Sequence, residues 1–298
     1  MLTRRQFLIG AGAAAGAGLG LGGYAFGVEP ILRLTVADHA IAPRAWPADL
    51  PLSIAIVADV HAIEPWMSAE RIAAIAAFTN TLGADLVLLA GDYETGLESL
   101  GGITRKVAMS DCAAALATLK APLGVHAVLG NHDMWAHGAR DVRAAFAANG
   151  IPLLENRAAR LAKDGRPFWL LGLGDQCVRR VRGRWLGADD LPATLAQIGD
   201  GAPAILLAHE PFVFPRVPSR IALTLSGHTH GGQVRLPVVG PLVRPSLPGQ
   251  RAYVHGHYRE GDRDLVVSAG LGMSILPMRF GVPPEITLVR LGGAPAVA

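Results

Sequence analysis

Five short motifs in this chain combine oxygen and imidazole donors. They are Asp59-Val60-His61, Gly91-Asp92, Gly130-Asn131-His132-Asp133, His209-Glu210-Pro211 and Gly227-His228-Thr229-His230. Any one of them is an ordinary turn. Their candidate donors are Asp59, Asp92, Asn131 and five His (His61, His132, His209, His228 and His230). Such a mixed nitrogen and oxygen set is chemistry for divalent transition metals, Mn, Fe or Zn. Mg and Ca prefer all-oxygen shells. No Cys stands in the motifs, so a thiolate zinc site is excluded.

Each motif follows an apolar, β-type run. The candidate strands are 52–58, 86–90, 125–129, 169–173, 204–208, 221–225, 264–268 and 286–291. Helical patterns lie at 69–82, 111–119 and 141–149, the last stopped by Gly150. Strands alternate with helices early and stand almost alone later, which predicts a layered α/β sandwich in a single domain. In open α/β sheets, ligands gather at the carboxyl ends of strands. The five motifs occupy those ends.

The chain has 298 residues, 51% hydrophobic and 17% charged, which excludes intrinsic disorder. Two cysteines, Cys112 and Cys177, cannot build a disulfide scaffold, though one bridge is open to them. The net charge is +3, and no dense basic stripe points to nucleic acid. The N-terminus carries Arg4-Arg5 and then 22 uncharged residues from Phe7 to Val28, eight of them glycine. A pair of arginines before a weakly apolar run resembles a twin-arginine (Tat) export signal. The run is also long enough to span a bilayer, so a cleaved signal and a retained anchor both stand. The expected division is residues 1–28 as signal or anchor, 29–50 as linker and edge strand near 32–36, 51–292 as the domain, and 293–298 as a tail. An exported, periplasmic or extracytoplasmic location follows, with the Tat machinery as a partner.

The motif series D-x-H, G-D, G-N-H-D, H and G-H-x-H resembles the calcineurin-like metallophosphoesterase superfamily. The resemblance covers residues 50–291. It extends to His228-Thr229-His230-Gly231-Gly232-Gln233-Val234, Pro237, Gly240, Tyr253, Gly256, Tyr258, Gly270-Leu271-Gly272, Pro277-Met278-Arg279-Phe280 and Pro283-Pro284-Glu285. This tail resembles the branch of exported bacterial phosphoesterases related to enzymes acting on UDP-2,3-diacylglucosamine. The resemblance implies a four-layer α/β/β/α sandwich and a dinuclear centre. Asp59, His61 and His230 would bind one ion, Asn131, His209 and His228 the other, and Asp92 would bridge them. A hydroxide bridging the ions would attack a phosphoester or pyrophosphate bond. His132 would protonate the leaving oxygen, and Arg279 would contact substrate phosphate. The expected substrate is a phosphorylated small molecule or lipid of the envelope. Alternatives are a lipid-precursor pyrophosphatase at the membrane and a non-catalytic metal-binding scaffold.

One position departs from the pattern. Some relatives carry an Asp three residues after the bridging Asp, where it orients the catalytic His; here that residue is Thr95, preceded by Glu94. Weaker candidates are the basic cluster Arg179, Arg180, Arg182 and Arg184, the histidines His137, His255 and His257, and Asp175 as a carboxylate behind the ligands.

Overall fold

The computed structural model describes residues 3–97, 102–247 and 249–292. Two sheets face each other. The first contains β1 (Thr35–Ile41), β2 (Leu52–Val57), β3 (Leu86–Leu89), β4 (Val125–Ala127) and, from the far end of the chain, Glu285–Leu291. Its order runs from β1 through the C-terminal strand to β2, β3 and β4. The second contains β5 (Arg157–Lys163), β6 (Arg166–Gly172), β7 (Ala204–Leu207), β8 (Ile221–Ser226), β9 (Gly256–Glu260) and β10 (Arg263–Val267), ordered β9-β10-β8-β7-β6-β5. The pairs β2–β3, β3–β4, β6–β7, β7–β8 and β8–β10 are parallel, so within each sheet their carboxyl ends lie together, while the C-terminal strand runs antiparallel to β2.

Side-chain alternation assigns the layers. In β2, Ile54 and Ile56 enter the core between the sheets, with Leu86, Leu88, Ile205, Leu207, Leu223 and Leu225. Ala55 and Val57 face the other way, onto helices Ala69–Thr81, Met109–Leu116 and Arg140–Ala148 through Ile72, Ile75, Leu116 and Phe146. In β7, Ala204 and Leu206 face a thinner outer layer, helix Leu191–Leu195 and the 3-10 turn Pro211–Arg216. The result is the expected α/β/β/α sandwich. Buried on both faces, β7 reads as an unbroken apolar run, and β2 is broken only by the half-buried Ser53.

The N-terminal region departs from the expectation. Residues Arg4–Gly23 form a helix whose first turn is closed by Thr3 and Gln6 in a reciprocal capping box. Among the described residues no helix is long and apolar enough to cross a membrane. The stretch after it is not a free linker. Glu29 is buried, its carboxylate accepting the Gly281 and Val282 N–H groups at 3.0 and 2.6 Å. The Ala25 carbonyl accepts the Arg279 N–H (2.9 Å), and the Phe26 carbonyl accepts Trp66 Nε1–H (2.9 Å). Trp46 and Leu50 close one end of the intersheet core, where Trp46 packs edge-on against Phe168. The edge strand lies at Thr35–Ile41, later than expected near 32–36. Cys112 and Cys177 are buried and unbridged. The 293–298 tail lies outside the described residues.

Candidate metal centre

Five of the seven ligand candidates leave a strand end on a backbone bent into the left-handed region. Asp59 (φ 53°), His61 (44°), Asp92 (57°), His228 (70°) and His230 (52°) all have positive φ. Non-glycine residues avoid this region, and strain of this kind collects at functional sites. The bends turn side chains inward that a continuing strand would send to alternate faces. Close approach also sets the glycine between them. A Cβ on Gly130 would stand 2.3 Å from Asp92 Oδ1.

The side chains form two clusters with one common member. Donor atoms of Asp59, His61, Asp92 and His230 all lie within 4.8 Å of one another, and so do those of Asp92, His209 and His228. Asn131 joins the second set, with its Oδ1 2.7 Å from His228 Nδ1. All seven expected ligands are thus brought together, and Asp92 stands between the two groups. Its Oδ2 is 3.5 Å from His61 Nε2 and 3.2 Å from His209 Nε2.

Hydrogen bonds behind the cluster orient the lone pairs. His61 Nδ1–H donates to the Glu94 carbonyl (2.8 Å) and His209 Nδ1–H to the Ala90 carbonyl (2.6 Å). Both Nε2 atoms therefore point inward, as they do in ligating histidines. His61 Nε2 lies 3.1 Å from His230 Nε2. His209 Nε2 is buried without a hydrogen bond. Imidazole nitrogens and carboxylates crowded this way suit a cation at their focus, so the residues fit divalent metal ions.

Protonation in the metal-free molecule follows from burial and neighbours. Burial pushes His61 down to about 3 and, with the nearby His209, His228 down to about 4. Burial raises Asp59 to about 7; His209 opposes the shift and Asp92 adds to it. Against its burial, His209 is held well above the ordinary imidazole range by Asp92. Metal entry must therefore displace protons from Asp59 and His209, whereas His61 and His228 are already neutral near pH 7. Affinity should rise with pH. Between pH 6 and pH 8, Asp59 alone should give about a tenfold gain, one proton being released per ion bound at the lower pH. Metal titrations across that range, in buffers of different ionisation enthalpy, read both the slope and the proton count.

Asp133 is the residue the motif reading passed over. Its carboxylate accepts four backbone N–H groups, from Asp92 (2.9 Å), Tyr93 (2.8 Å), Glu94 (2.9 Å) and Gly130 (2.9 Å). It holds the turn carrying Asp92 against the turn carrying Asn131 and His132. Without it four buried donors would be orphaned, at a cost of about 1–3 kcal/mol each. The Gly-Asn-His-Asp motif carried this signal in its last letter.

His132 lies at the edge of the cluster. Its N–H donates to Asp92 Oδ1 (2.8 Å), and its ring stands edge-on to His61 (4.8 Å) and 4.9 Å from Trp135. Among the described residues no side chain hydrogen-bonds the ring. Thr95 Oγ1 accepts the Leu97 N–H, and Glu94 pairs with Lys106 Nζ at 2.8 Å. The missing orienting carboxylate is replaced by packing: Gly96 lies so close that a Cβ there would meet His132 Cε1 at 2.5 Å.

Arg279 differs from its expected role. It is fully buried, with Nε and Nη2 donating to the Gly272 carbonyl, Nη1 to Val282 and Nη2 to Ala269. Its Nη2 reaches His230 Nδ1 at 3.4 Å. With its donors occupied it backs a ligand rather than meeting substrate. His255 and His257 lie outside both clusters, paired with Glu285 (2.9 Å) and Asp264 (2.6 Å); His137 also stands outside them. Asp175 sits beside Glu210, and burial with that neighbour raises it to about 10, so it keeps its proton. The four arginines decorate an exposed ribbon, Arg179–Val181 with Arg184–Leu186. Trp185 of this ribbon stacks on Trp135 (5.6 Å), beside His132.

With this geometry in view, the comparisons are specific. The sequence pattern of the calcineurin-like phosphoesterases matches residues 52–232. The chain belongs to that family. It is 31% identical over 297 residues to the uncharacterized metallophosphoesterase YkuE of Bacillus subtilis, covering 97% of this chain and 98% of that one. It is 32% identical over 248 residues to the phosphodiesterase YaeI of Escherichia coli, covering 81% and 82% of the two chains. A transmembrane protein with metallophosphoesterase domain from Danio rerio is 28% identical over 248 residues, which is 80% of this chain and 53% of that protein. Family membership and the ligand clusters together make this chain a metal-dependent phosphoester hydrolase.

Proposed function

We propose that this phosphoesterase works with two divalent transition-metal ions, Mn, Fe or Zn, and cleaves a phosphodiester or pyrophosphate bond on an envelope or lipid-linked substrate. The observation that carries the two-ion reading is Asp92, whose carboxylate belongs to both ligand clusters. Asp59, His61 and His230 hold one ion, and Asn131, His209 and His228 the other. Ions held there lower the pKa of water and offset charge on the phosphoryl oxygens. The chain itself supplies orientation and a proton. Carbonyls of Glu94 and Ala90 fix His61 and His209, Asp133 locks the turns, and His132 faces the leaving oxygen. The lipid-linked substrate and the bacterial branch acting on UDP-diacylglucosamine are supported by the sequence of the C-terminal loops. The Danio rerio relative, a transmembrane protein with metallophosphoesterase domain, lends weight to a membrane setting.

The deciding experiment loads the purified full chain with Mn and offers phosphomonoesters, phosphodiesters and nucleotide-sugar lipids. Diester or lipid turnover with about two ions per chain supports the reading. Turnover confined to the nucleotide-sugar pyrophosphate bond selects the lipid-precursor pyrophosphatase. Metal binding with no turnover of any class leaves the scaffold.

Arg4 and Arg5 support export by the twin-arginine route, which carries folded proteins and would let metal load in the cytoplasm. Lysine at both positions should leave the protein in the cytoplasm, scored by cell fractionation; unaltered export would remove the Tat reading.

A further inference from the structure

Two loops leave the metal clusters directly and end in exposed aliphatic residues. The first follows His230 and forms the ribbon Arg235–Leu236 with Gly240–Pro241. At its tip and just beyond it, Val238 is fully exposed, and Val239, Leu242 and Val243 are more than half exposed. The second follows Gly272, whose N–H donates to the Asp59 carbonyl (2.6 Å). Three residues on, Ile275 is 79% exposed and Leu276 beside it 51%. Gln233 ties the loops together. Its Nε2 donates to the Leu276 carbonyl (2.8 Å), and its Oε1 accepts the Ser274 N–H (3.0 Å). A cavity of about 500 Å³ opens between the first loop and the docked N-terminal turn, lined by Tyr24, Glu29, Val238 and Phe280.

Six large aliphatic side chains in water, on loops joined to one another, form a patch that calls for a partner. Charge identifies its chemistry. From Gln233 to Arg259 the sequence holds four arginines and no acidic residue, and from Leu265 to Pro284 it holds Arg279 and no acidic residue. Arg235 and Arg244 flank the aliphatic tip, are exposed, and pair with no carboxylate among the described residues. Aliphatic tips with a cationic collar are the pattern of a surface that lies on anionic lipid.

We infer that these two loops form a membrane-docking rim that seats the metal centre on the anionic face of a lipid bilayer. The aliphatic tips enter the headgroup boundary and Arg235 and Arg244 meet lipid phosphates. The rim lies on the membrane and does not cross it. Docking needs no turnover, so it stands or falls apart from the hydrolytic reading.

The test places one environment-sensitive fluorophore on the full chain at Val239→Cys, since Cys112 and Cys177 are buried. With vesicles of phosphatidylcholine and phosphatidylglycerol the probe should shift to the blue and become shielded from an aqueous quencher. With phosphatidylcholine alone it should not. V238D together with I275D should weaken vesicle binding by about tenfold or more, while hydrolysis of a soluble chromogenic diester changes by less than about twofold. Two results would overturn the inference. One is a chain that binds vesicles while the probe stays fully open to quencher, which leaves the N-terminal helix as the only contact. The other is a probe shielded without vesicles in a self-associated protein, which makes the patch an interface between copies.

Discussion

Asp92→Asn should abolish hydrolysis, by at least about a thousandfold, and do so by emptying the site rather than unfolding it. The substitution changes charge and keeps shape. The retained Oδ1 still accepts the His132 N–H, so the turn survives. What is lost is the one carboxylate that faces both His61 and His209. Metal affinity should fall more than about 100-fold, beyond the 10–100-fold typical when an outer partner of a ligand is removed. Without metal, two effects on the fold oppose each other: the variant loses the buried Asp92–His209 pair, which holds His209 well above the ordinary imidazole range and Asp92 well below the carboxylate range. Asp59 and Asp133 are both pushed up to about 7, first by burial and also by the Asp92 charge, so neutralising Asp92 relieves both. Wild-type protein should therefore gain thermal stability on adding Mn through preferential binding to the folded state, and the variant should gain almost none. Metal content by elemental analysis and melting curves with and without Mn separate the outcomes. A variant that keeps both ions would remove Asp92 from the bridge.

How much of this was legible beforehand depended on burial. β2, β3, β7 and β8 are covered on both faces and rich in Leu, Ile, Val and Ala, so their runs announce themselves, and the donors after them mark the strand ends. Two edge strands left no such trace. β5 reads Arg-Ala-Ala-Arg-Leu-Ala-Lys and β9 Gly-His-Tyr-Arg-Glu, short of branched residues because only one face meets the core. Residues 29–50 looked like a linker because Pro30, Pro43 and Pro47 punctuate them. Their buried members, Glu29, Trp46 and Leu50, bind partners far away in sequence, and local pattern is blind to those. Arg279 failed for the same reason. The resemblance around Pro277-Met278-Arg279-Phe280 implied a phosphate contact, yet the arginine's donors are taken by carbonyls of Gly272, Val282 and Ala269 that the fold brings round it. Asp133 was visible as a residue but not as a cradle, since its role exists only once the turns at 92–94 and 130 meet. The ligand set was readable because metal chemistry restricts residue type at each position. Backbone-directed roles carry no such restriction.

His132→Ala should leave the metals in place and slow turnover, and the size of the loss should depend on the leaving group. The ring touches His61 only edge-on, and the Asp92 contact is made by the main-chain N–H, which alanine retains. Metal content should therefore match the wild type. If the imidazole donates a proton to the departing oxygen, its removal hurts most where that oxygen is most basic. With an alkyl leaving group kcat should fall by about 10³–10⁴, and with p-nitrophenolate, which departs readily as the anion, by about tenfold. A plot of log kcat against leaving-group pKa should be steeper for the variant than for the wild type. Two results would reassign the residue. An equal loss across all leaving groups would mean that the ring orients the phosphoryl group instead of protonating the product. Loss of metal would place it among the ligands. The same experiment bears on the packing beside it. Because no carboxylate orients this ring among the described residues, Gly96→Ala, which forces a Cβ within 2.5 Å of Cε1, should reproduce part of the defect with the imidazole still present. As the proposed proton donor, His132 is held by shape, and its rate contribution would depend on Gly96 and Trp135 keeping the ring in place.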